Sequence, residues 1–317
     1  MKRVLILSCG TNSGYHVSKI ISSKYKDEFF LIGTDINEQH LVASILYLNK
    51  FYKILPSSNP SFYNEVLDII AKEKVDILIP IYDQEQKIFN KDNKDLIKLG
   101  VKTLAPKESV FDVYGNKIKL FEFLKQKKLP VPKTYTIDEI NDNKSYFIKP
   151  IDGAGSIGSS LLAGKEVRKI NDIKKYIIQE VCSNPEITLE CFKYNERISS
   201  VARERIQAKS GICTKTCICK NNELEEIAKK FSQVIDVPYV FNLQFMKNKD
   251  EKFVITDINL RFAGGMALSY KAGWDEASAL AEVILGKSEE DIFKNLNLNY
   301  EKQWIVRVYD EIITKQV

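Results

Sequence analysis

The stretch Phe253-Val254-Ile255-Thr256-Asp257-Ile258-Asn259-Leu260-Arg261 alternates apolar and polar residues, the period of a strand with one buried and one wet face. Asp257 and Asn259 are separated by one residue and therefore point to the same side. Upstream, Tyr239 to Met246 has the same character. The polar, charged segment Lys247 to Lys252 between them suits the turn of an antiparallel hairpin. Such a turn brings Gln244 near Asp257, with Asn242 close by, so oxygen-bearing side chains converge. A hard cation such as Mg²⁺ takes oxygen ligands and fills its remaining positions with phosphates or water. Arg261 continues the same face toward Ala263-Gly264-Gly265, where it can meet a phosphate oxygen. Periodicity alone equally allows a half-exposed strand with polar residues on its wet side.

Working back along the chain, Phe147-Ile148-Lys149-Pro150 reads as a strand end. It is followed by the polar glycine loop Asp152-Gly153-Ala154-Gly155-Ser156-Ile157-Gly158-Ser159-Ser160. Glycines let a backbone close over phosphates and donate several N–H bonds, and Lys149 adds a compact positive charge. The Walker pattern G-x-x-x-x-G-K-[ST] is absent. A hairpin connection without a ligand is the alternative. Strands are also expected at Ile177 to Glu180, Ile187 to Phe192 and Ile198 to Gln207. A helix is expected over Asn222 to Ile235, burying Leu224, Ile227, Ala228, Phe231 and Ile235. This part reads as an α+β domain.

The first third reads differently. Val4 to Ser8, a turn, a helix from Tyr15 to Lys24 and a strand from Phe29 to Asp35 make a βαβ opening. A helix over Ser61 to Glu73 and a buried strand at Ile77 to Pro80 continue it. The turn Ser8 to Gly14 sits where backbone N–H groups can hold an anion. Gly10 and Gly14 do not complete G-x-G-x-x-G, although Asp35 follows where a ribose-binding acid would stand. A tight turn without cofactor is the plainer reading. The helix Lys117 to Lys127 leads to Leu129-Pro130-Val131-Pro132, whose prolines mark a junction.

The composition narrows the function classes. At 317 residues the chain is long enough for two domains. With 44% hydrophobic and 28% charged residues it reads as an ordinary soluble globular protein, expected in the cytoplasm. Its net charge of +5 is small and spread out, which does not indicate a nucleic-acid groove but suits an anionic small ligand. No apolar run approaches the ~18 residues of a membrane span. Six cysteines read as reduced thiols. The two histidines, His16 and His40, both precede residue 41, so a His triad or multi-His metal site elsewhere in the chain is excluded.

Two further clusters stand out. Arg203 and Arg205 place two guanidinium groups on one strand face, suited to carboxylate or phosphate capture, with solvated surface charge as the alternative. Cys213, Cys217 and Cys219 are expected to share one strand face, but they make no C-x-x-C pair and no histidine is near.

In this order, these residues resemble the ATP-grasp superfamily, in particular stand-alone relatives of the carbamoyl phosphate synthetase large chain. Gly33-Thr34-Asp35, Ile77-Leu78-Ile79-Pro80 and Asp83-Gln84-Glu85 resemble segments of its pre-ATP-grasp domain. Asn116-Lys117 with Leu129-Pro130-Val131-Pro132 is similar to a "DK … gipvP" passage, and Asp257-Ile258-Asn259-Leu260-Arg261 to "E-I-N-P-R". The resemblance implies a Rossmann-like α/β domain over residues 1–112 and an ATP-grasp domain over 113–317, with a lid at 113–181 and a C-terminal subdomain at 182–317. It implies that Lys117 and Lys149 contact phosphates, under a loop that includes Gly153, Ser156, Ile157, Gly158 and Ser159. Gln179, Glu180 and Val181 would receive adenine through the backbone, and Glu186 would accept the ribose hydroxyls. Gln244, Asp257 and Asn259 would hold Mg²⁺, with Arg261 on the phosphate side and Arg203 and Arg205 toward the acyl substrate. Three positions depart from the family: Asn116 for Asp, Asp257 for Glu and Leu260 for Pro.

The activity implied is an ATP-dependent carboxylate–amine ligase that passes through an acyl phosphate. Small carboxylates and amines would be its substrates, and self-association as a homodimer is expected. A catalytically inactive ATP-binding subunit is the alternative. A dinucleotide-dependent oxidoreductase is a third reading, against which the incomplete glycine fingerprint counts.

Overall fold

A computed structural model describes residues 1–152, 158–209, 211–298, 302–308 and 310–315. The N-terminal strands are β1 (Lys2–Ile6), β2 (Phe29–Asp35), β3 (Lys50–Lys53), β4 (Ile77–Ile79) and β5 (Lys102–Thr103). They form a parallel sheet of order β3-β2-β1-β4-β5. Both faces are covered, as parallel sheets require. Val4 and Ile6 face the helix Asn12–Lys24 through Val17, Ile20 and Ile21. Leu5 and Leu7 face the helix Phe62–Glu73 through Phe62, Val66, Ile69 and Ile70.

Four antiparallel strands follow: β6 (Thr134–Tyr135), β7 (Ser145–Pro150), β8 (Ser160–Ala163) and β9 (Tyr176–Gln179). Their order is β6-β9-β7-β8. Tyr146, Ile148 and Ile178 turn to a small core with Ile140 and Val167. Strand alternation sends Phe147, Lys149, Ile177 and Gln179 to the other face, where Phe147 pairs with Gln179 and Lys149 with Ile177.

The third sheet holds β10 (Ser183–Tyr194), β11 (Arg197–Lys209), β12 (Ile212–Cys219), β13 (Val240–Lys247), β14 (Phe253–Asn259) and β15 (Lys302–Val306). The order is β14-β13-β10-β11-β12-β15, antiparallel throughout. Ile187, Leu189, Leu243, Phe245 and Ile255 bury one face against Leu224, Ala228 and Phe231 of the helix Asn222–Val234. Asn221 caps that helix by accepting from the Leu224 N–H at 3.2 Å. Of the five residues expected on the buried stripe, Ile227 and Ile235 are only partly buried, at its margin.

Residues of opposite parity put polar groups on the other face in two cross-strand rows. One row is Asp257, Gln244, Thr188 and Arg203; the next is Asn259, Asn242, Glu190 and Val201. The first sheet and the third share a core. Phe192, Val201 and Ile218 of the large sheet pack with Trp274, Ala277 and Leu280 against the same cluster as Val4 and Ile6.

Candidate functional site

The bond pattern of the hairpin places its polar residues. Gln244 stands opposite Asp257 and Asn242 opposite Asn259, with a register irregularity between Gln244 and Phe245. Asn259 Nδ2 donates to Asn242 Oδ1 at 3.2 Å, and Asn242 Nδ2 donates to the Arg261 carbonyl at 2.9 Å. Arg261 Nη2 in turn donates to Asn259 Oδ1 at 3.0 Å.

Two residues that sequence reasoning left without a role complete this corner. The Asp83 carboxylate lies 3.4 Å from Arg261 Nε. The Tyr114 hydroxyl stands 3.1 Å from Asp83 Oδ1 and 3.2 Å from the Ile258 carbonyl. Burial, followed by the field of Asp83, pushes the Tyr114 phenol well above its usual range. In the sequence Asp83 stands out only within the segment Asp83-Gln84-Glu85, and Tyr114 carries no signal.

The four-stranded sheet closes over this corner through Lys149. Its Nζ donates to the Thr256 carbonyl at 2.6 Å, next to Asp257 in the chain. Phe121 and Phe147 flank the ammonium at 5.8 and 5.4 Å from ring centre to Nζ. Burial lowers the Lys149 pKa against the opposing pull of Asp257, and Lys117 lowers it further. Burial raises the Asp257 pKa while Lys149 and Lys117 oppose the rise. The two lysines and the carboxylate therefore lie close enough to feel one another's charge.

Asn116 is the N-cap of the helix Lys117–Gln126, its Oδ1 accepting from the Lys119 N–H at 3.1 Å. Asn serves as well as Asp in that position. Leu260 is fully buried, and its carbonyl accepts from Gln86 Nε2 at 2.8 Å.

Other expected site residues fall around this corner or away from it. Gly153, Ser156 and Ile157 lie outside the described residues. Gly158 has φ +76°, and a Cβ there would sit 3.0 Å from Pro150 Cγ, so only glycine suits the position. Ser159 leads from it into β8. Gln179 is buried with its Nε2 unpartnered, Glu180 accepts from the Lys133 N–H at 2.7 Å, and Val181 is exposed. Glu186 and Arg205 are paired with each other, Nε to Oε1 at 2.9 Å. Arg203 is fully buried and donates from Nε to Glu190 Oε1 at 2.8 Å. The two arginines share a face, and each is engaged by a carboxylate of β10.

One expectation is overturned. Cys213 does not share a face with Cys217 and Cys219. Cys217 stands across from Glu204 and Cys219 across from Ala202. Cys213, beyond register shifts between Arg205 and Ala208, reaches the Arg203 guanidinium on the opposite side. A bulge inserts a residue and breaks strict alternation, which spacing cannot reveal. Burial also raises the Cys217 and Cys219 thiols, which disfavours the thiolate a metal would need.

The opening glycine turn is filled by the chain itself. Asp35 Oδ2 accepts from the Gly10 N–H at 2.9 Å, and its Oδ1 takes both nitrogens of Asn37 at 3.0 and 2.8 Å. A Cβ on Gly10 would come within 2.6 Å of Asp35 Oδ2. Glu85 bonds Ser8 Oγ and the N–H groups of Ile81 and Tyr82. Two carboxylates in this position make the turn unsuited to a pyrophosphate.

For a divalent cation, the donors beside Lys149 are the Asp257 carboxylate and the amide oxygens of Gln244 and Asn259. These are hard oxygen ligands of the kind Mg²⁺ accepts. Among the described residues no three His, Cys, Asp or Glu side chains gather into a metal cage. A cation here would depend on one carboxylate, the amides and a ligand's phosphates. A half-buried carboxylate whose pKa is raised by desolvation fits that role, since a cation relieves that cost.

Residues 172–306 match the family model described as "ATP-grasp in the biosynthetic pathway with Ter operon". No curated protein matches the sequence. Among solved structures, the chain is similar to N5-carboxyaminoimidazole synthetase from Staphylococcus aureus complexed with ADP. The TM-score is 0.70 at 15% identity, over 90% of this chain and 78% of that one. It is similar to the biotin carboxylase domain dimer of Hydrogenobacter thermophilus 2-oxoglutarate carboxylase with MgADP and bicarbonate, at TM-score 0.71, 13% identity, and 94% and 72% coverage. It is also similar to L-amino acid ligase from Bacillus licheniformis, at TM-score 0.69, 11% identity, and 94% and 78% coverage. Among the described residues no helix is long and apolar enough to cross a membrane.

Proposed function

We propose that the chain, which has the ATP-grasp fold and matches an ATP-grasp family model over residues 172–306, is an ATP-dependent carboxylate–amine ligase. The observation that carries this reading is the seat of Lys149. A cation on the inner face of one sheet rests against the Asp257 strand of another, with Gln244 and Asn259 beside it. In this reading a triphosphate lies between that lysine and the oxygen ligands for a metal. The similar structures with ADP or MgADP support the nucleotide part, and the names of the synthetase and the L-amino acid ligase support a ligase.

In this reading residues 1–112 form the Rossmann-like pre-ATP-grasp unit, 113–181 the lid and 182–317 the C-terminal subdomain. Lys149 and Lys117 bind phosphates, and the backbone at Gln179, Glu180 and Val181 receives the adenine. The loop through Gly158 and Ser159 covers the triphosphate. Glu186, now paired with Arg205, exchanges that partner for the ribose hydroxyls. Gln244, Asp257 and Asn259 would hold Mg²⁺, which would neutralise phosphate charge on the γ-phosphoryl group.

A substrate carboxylate oxygen attacks the γ-phosphorus and ADP departs with the electron pair. An amine then attacks the acyl carbon, phosphate leaves and the nitrogen loses a proton. The chain contributes position and charge rather than a nucleophile. Arg261, steered by Asp83 and Asn259, faces the transferring group. The half-buried seat of Lys149 between Phe121 and Phe147 limits the access of water that would hydrolyse the acyl phosphate.

The test is calorimetry with ATP and Mg²⁺, together with ADP release on adding small carboxylates and amines. We expect Lys149→Ala and Asp257→Ala to reduce turnover by roughly a hundredfold or more with unchanged thermal melting. Full activity in either variant refutes the site. Binding without any ADP release would instead support an inactive nucleotide-binding subunit. The departures Asn116 and Leu260 do not favour that alternative, because one caps a helix and the other packs in a core.

A further inference from the structure

The large sheet ends at β15, and no other described strand pairs with its outer edge. The Arg307 N–H donates to the Thr214 carbonyl at 2.8 Å, continuing the register that sets Ile305 opposite Thr216. Backbone groups alternate sides along an antiparallel strand, so those of Lys302, Trp304 and Val306 point to the free edge. Their side chains share one face with Cys219, Cys217 and Lys215 of β12. The helix Asn222–Val234 covers the middle of that face and leaves this margin open, with Trp304 65% and Val306 59% exposed. Sheet edges are usually blunted by proline, a bulge or charges along the strand. β15 has no proline, its register with β12 is unbroken, and its one charged residue, Lys302, stands at its end.

A cavity of about 550 Å³, lined by Cys219, Lys220, Asn222 and Lys302, opens beside this edge. Lys215, Lys220 and Lys302 are all exposed, and among the described residues none of the three has an ion-pair partner. Lys302 Nζ lies instead 4.8 Å from the centre of the Trp304 ring. The one carboxylate in the adjoining strand rows is Glu204, opposite Cys217. The margin therefore offers free backbone groups, an exposed indole and a surplus of positive charge. A second copy of the chain does not match it. A two-fold at Trp304 would set Lys302 of one copy opposite Val306 of the other, next to Lys215, so that like charges meet. A strand with carboxylates opposite Lys302 and Val306, and an apolar residue opposite Trp304, matches backbone, ring and charge together.

We propose that β15 binds an extended acidic segment of another protein, which adds a strand to the six-stranded sheet and presents acid, apolar and acid side chains at alternate positions. This does not depend on the ligase reading. The probe is the acetylated, amidated peptide Thr-Glu-Thr-Ile-Thr-Glu-Thr, titrated into the full chain while the indole N–H signals are followed by NMR. The chain has two tryptophans and Trp274 is buried, so Trp304 is the reporter. We expect saturable binding that shifts the Trp304 signal and leaves that of Trp274 in place. Lys302→Glu should weaken it about tenfold and favour the peptide with lysines in place of both glutamates. Val306→Pro removes an outward N–H but no bond to β12, and should weaken it about fivefold with thermal melting and ATP affinity unchanged. If that variant fails to fold, the charge swap at Lys302 decides. No peptide binding to the parent chain, or equal binding of the lysine peptide, overturns the proposal. So does displacement by an equal concentration of oligo(dT), which would mark a nucleic-acid surface. Dimerisation in sedimentation velocity that Val306→Pro abolishes would make the edge a contact between copies and overturns it as well.

Discussion

Asp83 links chain segments far apart in sequence. From the N-terminal unit it meets Arg261 Nε at 3.4 Å and the Tyr114 hydroxyl at 3.1 Å, and so orients a guanidinium next to the proposed metal ligands. We expect Asp83→Asn to lower kcat by roughly tenfold while the KM for ATP changes less, the kinetic equivalent of one charge-assisted hydrogen bond. Steady-state ADP release measures this, and an unchanged kcat would show that Arg261 needs no such support. Lys149, Asp257 and Asn259 could be singled out from sequence because strand parity and local chemistry mark them. Asp83 and Tyr114 could not, because their roles exist only where the helices after β4 and β5 meet β14. The pairing of Glu186 with Arg205 is of the same kind, a contact that the sequence does not record.

The hairpin β13–β14 and the helix Asn222–Val234 were legible as elements, since a period of two and a period near 3.6 need only local information. Faces past a bulge were not, as the reversal of Cys213 shows. The helix Asn12–Lys24 carries a separable consequence. His16 is buried on it against the Tyr270 ring at 4.9 Å, and burial lowers its pKa to about 4. The unfolded chain, with a pKa near 6.5, binds more protons between those values. Stability from neutral His16 is therefore present above pH 6.5 and lost as pH falls toward 4. At pH 5 the loss is about 2 kcal/mol, an upper figure given the remaining access of water. Urea unfolding at pH 7.5 and pH 5 should show a smaller drop for His16→Phe than for the parent. Equal drops would place the acid sensitivity in the carboxylates instead.

Across the molecule, the parallel sheet and the large antiparallel sheet are held by one core and by a few polar ties. Asp275 is the clearest tie. It caps the helix Glu276–Leu285 through the Ser278 N–H at 2.9 Å and takes Lys24 Nζ from the N-terminal unit at 2.7 Å. We expect Asp275→Ala to cost about 1–2 kcal/mol, most of it from the lost cap because Lys24 is partly exposed. Chemical denaturation checks the figure, and a change below a few tenths of a kcal/mol would mean that packing alone holds the two parts together.

Alternation of apolar and polar residues, glycine and proline positions, and the placement of Lys149 and the Asp257 strand were set by local sterics and solvation, and these suffice to announce a βαβ opening followed by an α+β region. Which carboxylate meets which arginine, whether the opening glycine turn is open or filled by Asp35 and Glu85, and which polar atoms are left buried without partners depend on contacts between residues tens to hundreds of positions apart. Such contacts form only when loop closure and burial bring the sheets together, and no period in the chain records them.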